Sequence, residues 1–206
     1  MVFGLLRILD CLATFDQEAR SVKISDAIPN VPVTNQFGKT VLFRDAFVND
    51  DTALVINSVY TTCKGSCPVT SAAIEQLRKT LSPIFGKSLK FLSFTVEPLS
   101  DTPDVLMSYA EIFGADKLRP ELSDWLFLNA NPVDTDTLRR SLGLFDLNPR
   151  IDADVSEHAS LLVVGNVKTD RWCSLPAELR QLTLVESIRR VAGFTFEQRY
   201  GIPQDL

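Results

Sequence analysis

Residues 53–59, Ala-Leu-Val-Ile-Asn-Ser-Val, form an almost continuous apolar run. A strand of this kind is buried on both faces, because a one-sided strand would alternate apolar and polar residues. Covering both faces of a sheet takes helices on each side, so an α/β architecture follows. The next residues agree. Pro68 opens a helical pattern in which Val69, Ala73, Ile74, Leu77 and Leu81 recur every three or four positions. Proline is favourable at a helix start, where the first N–H groups lack intrahelical partners. Pro83 and Gly86 are expected to end this helix.

The same alternation continues along the chain. Val31-Pro-Val33 and Thr40-Val-Leu-Phe43 flank Asn35-Gln-Phe-Gly38 and read as a β-hairpin. Strands are expected at 89–96 and 125–128, with helices following from Asp101-Thr-Pro-Asp104 and over 134–142. Strands at 159–164 and 171–174 are expected to pair across Gly165-Asn166, and a last helix runs over 183–191. This order predicts an α/β, thioredoxin-like mixed sheet flanked by helices, with an N-terminal β-hairpin and a short N-terminal appendage. The expected divisions are an appendage over 1–30, possessing helical character and docking loosely; a main domain over 31–195; and a tail over 196–206.

With 21 basic and 26 acidic side chains and no Lys/Arg cluster, the chain lacks an electrostatic footprint for nucleic acid. The first ten residues are apolar but broken by Arg7 and Asp10. They match neither a signal sequence nor a membrane span, which needs about 20 apolar residues. The body is expected to be soluble, with no evident membrane anchor.

Chemistry concentrates in Tyr60-Thr-Thr-Cys63-Lys-Gly-Ser-Cys67-Pro68. Both thiols lie in a loop that leaves the buried strand and enters a helix. Ligands bind at this end of open α/β sheets, and a helix start favours the thiolate. Redox sites of the thioredoxin type space their cysteines Cys-x-x-Cys. The extra residue here lets both sulfurs turn toward a common ion without forbidding a disulfide. Thiolates select Cu(I) and imidazole supports Cu(II), so the two thiols with the lone histidine, His158, suit copper. Zinc would accept the same ligands, although a structural zinc site wants a fourth.

In this arrangement the chain resembles the Sco/SenC family of copper chaperones that serve cytochrome c oxidase assembly. The resemblance runs from about Val31 to Ser174 and includes Gly38-Lys39, Cys63-x-x-x-Cys67-Pro68, Phe94-Thr-Val-Glu97-Pro98, Asp101-Thr-Pro103 and the acidic residue before His158. It implies that Cys63, Cys67 and His158 bind copper, as Cu(I) or Cu(II). It also implies a recipient copper protein such as a cytochrome c oxidase subunit. The implied location is periplasmic or in the mitochondrial intermembrane space, associated with a membrane. His158 stands where thioredoxins place a cis-proline. Glu97 and Glu157 replace the family's usual aspartates and are candidates to support the site from behind the ligands. Lys64-Gly65-Ser66 lacks the acidic residue common between the family's cysteines.

Two functions compete. The first is a metallochaperone that carries copper without catalytic turnover. The second is a thiol–disulfide oxidoreductase using Cys63 and Cys67, with Cys63 as the attacking thiolate. A peroxidase is disfavoured because Tyr60 occupies the threonine position of Pro-x-x-x-Thr-x-x-Cys. Cys11 and Cys173 are expected to be inert, and residues 147–155 to form a mobile polar loop ahead of His158.

Overall fold

The computed structural model describes residues 23–152, 154 and 160–201. Seven strands form one sheet: β1 (Pro32–Asn35), β2 (Thr40–Leu42), β3 (Ala53–Val59), β4 (Leu89–Thr95), β5 (Asp124–Asn129), β6 (Leu161–Asn166) and β7 (Arg171–Pro176). Their spatial order is β2-β1-β5-β4-β3-β6-β7. The central β5-β4-β3 block is parallel, and antiparallel pairs flank it on both sides. The α/β, thioredoxin-like expectation is thus met, with the hairpin at one edge.

Alternating side chains of β3 enter opposite cores. Ala53, Val55 and Val59 face the helices α2 (Ser66–Phe85), α3 (Pro103–Ile112) and α6 (Gln181–Ala192), where Ile74, Leu77, Leu106 and Ile188 are buried. Leu54 and Ile56 face α1 (Phe43–Phe47) and α4 (Pro132–Ser141), through Phe43, Phe47 and Leu138. Burial on both faces is what the apolar run demanded. Polar groups inside the sheet are bonded together: Ser93 donates to Asn57 at 2.6 Å and accepts from the Trp125 indole at 2.9 Å.

Several expectations change in detail. The long helix starts at Ser66, not Pro68, and Pro83 lies in its last turn. Proline there removes a hydrogen bond only from the carbonyl of exposed Lys79, so the helix continues to Gly86, whose φ of 54° ends it. The helix expected over 134–142 begins earlier, at Pro132, because Asn131 caps it and accepts the Asp134 N–H at 3.0 Å. Gly165 and Asn166 belong to β6, and the turn lies beyond them at Asp170, with φ 49°. Gly165 is required because a Cβ there would lie 2.2 Å from the Trp172 ring. Arg78, a charged residue on the long helix α2, is 2% exposed and donates to the carbonyls of Ser123 and Gly114.

The end of the appendage is docked. The Asp170 carboxylate accepts the N–H groups of Ile24 and Ser25 at 2.8 and 3.2 Å. Residues 1–22, including Cys11, lie outside the described residues. The segment read as a tail opens with the capped helix α7 (Phe196–Tyr200).

The loop ahead of His158 is also tied down over its first half. Asn148 and Pro149 form an N-cap and first position for the short helix α5 (Pro149–Asp152), and Asn148 accepts the Arg150 N–H. Asp152 is bonded by both Arg139 and Arg140 and accepts the Asp146 N–H at 3.0 Å. The polar composition that suggests mobility is therefore spent on a cap and an ion-pair cluster. Among the described residues, no helix is long and apolar enough to cross a membrane.

Candidate metal centre

The cysteine loop is set by what precedes and follows it. β3 ends at Val59, whose carbonyl accepts the Val96 N–H at 2.9 Å, and the Cys63 N–H turns back to the Tyr60 carbonyl at 3.3 Å. Because α2 begins at Ser66, Cys67 sits in its first turn and Cys63 in the loop before it. Pro68 remains within the positions whose N–H groups have no intrahelical acceptor, so the earlier start loses nothing.

Both cysteines are in the thiol form and buried, with 9% of Cys63 and 3% of Cys67 exposed. They pack with Tyr60 and Tyr109 in one core. Their environments differ. Burial disfavours the Cys63 thiolate, but hydrogen bonds from the Tyr60 hydroxyl, from the Cys67 and Gly65 backbone and from the Cys67 thiol outweigh it, and its pKa falls below the ordinary thiol value. Burial pushes the Cys67 thiol up to about 12, with the charges of Cys63 and Asp101 adding to it and the Tyr60 backbone opposing. Of the pair, Cys63 is therefore the thiol that ionises more readily. Tyr60 is drawn upward by donating to that sulfur and by its own burial. The Tyr109 phenol, buried and beside both thiols, rises to about 12 and shares a 3.0 Å hydrogen bond with Ser71.

A second layer surrounds the loop. Glu97 accepts from the Thr62 hydroxyl at 3.2 Å, which places this carboxylate beside the cysteine loop. Asp101, fully buried, takes the Thr61 N–H and hydroxyl and the Thr95 hydroxyl. His158 and Glu157 lie outside the described residues, and among the described residues no three metal-ligating side chains gather. Cys173 sits half-buried on β7, its thiol raised by burial.

Two participants were missed by the sequence reading. Tyr60 was weighed only against the peroxidase motif, although its place between a buried strand and Cys63 was the available signal. Asp101 reads as a helix start. In the structure Thr102 is the N-cap, accepting from the Val105 N–H, and the Asp101 carboxylate is left to the cysteine loop.

Comparison with known proteins shows what the chain is similar to. Residues 33–122, a little under half of the chain, match the SCO1/SenC family model. Among solved structures, a SCO1/SenC family lipoprotein from Bacillus anthracis superposes with a TM-score of 0.61 at 18% identity, covering 80% of this chain and 94% of the other. ScoI from Bradyrhizobium japonicum, with copper bound, gives 0.57 at 18% identity over 78% and 96%. BsSco, a member of the Sco family of cytochrome c oxidase assembly proteins with an identified disulfide switch, gives 0.58 at 18% identity over 82% and 95%. No curated protein sequence matches the chain. The resemblance seen in the cysteine motif and in Glu97-Pro98 thus falls in the stretch, residues 33–122, that matches the SCO1/SenC family model, and the likeness to solved Sco structures extends the shared thioredoxin-like fold beyond it.

Proposed function

We propose that this chain carries copper as cargo for a recipient copper protein, holding one ion through Cys63, Cys67 and His158. The observation that supports the reading is the thiol pair itself: two soft donors in hydrogen-bond contact at a helix start, one of them biased toward the thiolate. Such a donor set fits Cu(I), and an imidazole from His158 would add the ligand that Cu(II) prefers. The copper-bound state of Bradyrhizobium japonicum ScoI is in keeping with this chemistry. The recipient is a subunit of cytochrome c oxidase, and the place of action is the membrane surface where that enzyme is assembled, in the periplasm or the mitochondrial intermembrane space. The assembly role of BsSco and the lipoprotein character of the Bacillus anthracis relative support these two assignments.

The test is the absorption spectrum of reduced protein on addition of Cu(II). Thiolate-to-copper charge transfer is expected at one equivalent, lost in His158→Ala, while Cys63→Ser and Cys67→Ser each lose tight Cu(I) binding. Stoichiometric tight Cu(I) in either serine variant would refute the site.

The unequal thiols favour a second activity of the same residues. The Cys63 thiolate attacks a partner disulfide, one partner sulfur leaves as thiol, and Cys67 then displaces the partner from the mixed disulfide. The partner gains two electrons and the Cys63–Cys67 pair is oxidised. Reduction of a model disulfide by His158→Ala at the wild-type rate is the expected signature, because this route needs no imidazole.

A further inference from the structure

A carboxylate buried without a cation is costly unless its lone pairs are bonded. Asp101 is 0% exposed, and among the described residues no Lys or Arg pairs with it. Its bonds run elsewhere. Oδ2 accepts the Thr61 N–H at 3.1 Å and the Thr95 hydroxyl at 2.6 Å, and Oδ1 accepts the Thr61 hydroxyl at 2.5 Å. The neighbouring backbone is held as well: Asn129 donates to the carbonyls of Asp101 and Pro98 at 2.7 and 2.9 Å. The Thr95 hydroxyl in turn accepts the Glu97 N–H at 2.9 Å. The ends of β4 and β5 therefore converge on Asp101 just before α3, β4 on its carboxylate and β5 on its backbone carbonyl, and the carboxylate grips the loop two residues before Cys63.

Other bonds to the loop are made at the Cys63 sulfur and at Thr62, not at Thr61. Gly65, the N-cap of α2, has no side chain to bond the helix start. Within the loop, the Cys63 N–H turns back to the Tyr60 carbonyl and the Gly65 backbone bonds the Cys63 sulfur. We propose that Asp101 is the positioning residue of the thiol pair, holding the cysteine loop through Thr61 so that Cys63 and Cys67 stay in reach of each other and of Tyr60. Its copper readout rests on the function proposed above; its other readouts do not.

The two obvious variants separate the geometry from the charge. In Asp101→Asn the amide oxygen can take the place of Oδ2, accepting the Thr61 N–H and the Thr95 hydroxyl, while the amide nitrogen donates to the half-exposed Thr61 hydroxyl. The grip survives. In Asp101→Ala the buried Thr95 hydroxyl and the Thr61 N–H both lose their acceptor.

The experiment compares full-length wild type, Asp101→Asn and Asp101→Ala by amide hydrogen exchange over residues 60–67, with residues 184–192 of α6 as internal reference. It also measures the disulfide equilibrium of Cys63 and Cys67 against oxidised and reduced dithiothreitol, and Cu(I) affinity by competition with a chromophoric chelator. The alanine variant should exchange at least about tenfold faster over 60–67, form the disulfide less readily, and lose on the order of 10–100-fold in Cu(I) affinity, the usual range for a residue supporting metal ligands. The asparagine variant should remain within about threefold of wild type in all three. Should the alanine variant not fold, Thr61→Val replaces it; faster exchange over 60–67 is again expected. Wild-type exchange over 60–67 in the alanine or valine variant overturns the proposal, as does an asparagine variant as impaired as alanine. A wild type that binds no copper refutes the copper function alone, and exchange with disulfide formation still decides the role of Asp101.

Discussion

Replacing Tyr60 with Phe isolates the bond that makes the two thiols unequal. The side chain is 9% exposed and packed in the core beside Cys63, so Phe keeps the ring and removes only the hydroxyl that donates to the sulfur. A hydrogen bond to a charged group contributes about 1.5–3 kcal/mol. Losing it lowers the thiolate fraction of Cys63, at a pH below its titration, on the order of 10–100-fold. The thiolate that remains is the better nucleophile. With a Brønsted slope of about 0.4–0.5 it recovers roughly half of the loss on a logarithmic scale. The net expectation is alkylation of Cys63 by iodoacetamide slowed about three- to tenfold, with its pH profile displaced to higher pH. Peptide mapping by mass spectrometry gives each rate, and Cys173, on a different strand, serves as an unchanged reference. The sign also reaches stability. The Cys63 pKa is lowered on folding, so the bond's contribution is present above the unfolded thiol's pKa and lost as pH falls through the folded value. The stability gap between wild type and Tyr60→Phe should therefore widen as pH rises through that window. Equal Cys63 alkylation rates and superimposable pH profiles in the two proteins would refute the assignment of the readier ionisation to Cys63.

Gly165→Ala should destabilise by about 1–3 kcal/mol, measured by urea unfolding, because its Cβ would overlap the Trp172 ring and an overpacked site must shift. Arg78→Met leaves the buried carbonyl of Ser123 and the partly buried carbonyl of Gly114 without the Arg78 donors. About 2–5 kcal/mol of stability should go with them, and an unchanged denaturation midpoint would contradict the buried role. The guanidiniums of Arg139 and Arg140 hold the Asp152 carboxyl well below the usual carboxylate range. Its stabilising effect is thus full above the unfolded carboxyl pKa and disappears as pH falls through the depressed folded value. Asp152→Asn should be less stable than wild type at neutral pH, and the difference should shrink in acid; a difference constant with pH would argue against the ion pair.

Much of the frame was legible in the residue pattern. The run at 53–59 is β3 with its expected ends, since an apolar stretch of that length has few places to go except the middle of a covered sheet. The hairpin, the helix after the cysteines and the parallel strands that follow come from equally local signals of periodicity and turn chemistry. Boundaries slipped where a local rule met a competing local rule: Asn131-Pro132 opened the helix expected from 134, and Asn148-Pro149 made a helix of a stretch whose polarity read as loop.

The pairing of Cys63 and Cys67 was likewise visible as a motif, and with it the chemistry of soft thiolate ligands. What remained for the tertiary structure was how the two sulfurs differ. Both are buried rather than presented, Cys63 receives the Tyr60 hydroxyl, and Cys67 lies deeper with the charge of Asp101 bearing on it. The bond from Thr61 to Asp101 spans 40 residues of chain, and that from Thr62 to Glu97 spans 35. No periodicity or spacing encodes such contacts, because burial and hydrogen-bond partners depend on which strand ends meet. Composition and pattern decided that this chain would place two thiols at the end of a covered sheet. The packing of β3, β4 and β5 decided which thiol ionises more readily and what holds the loop in place.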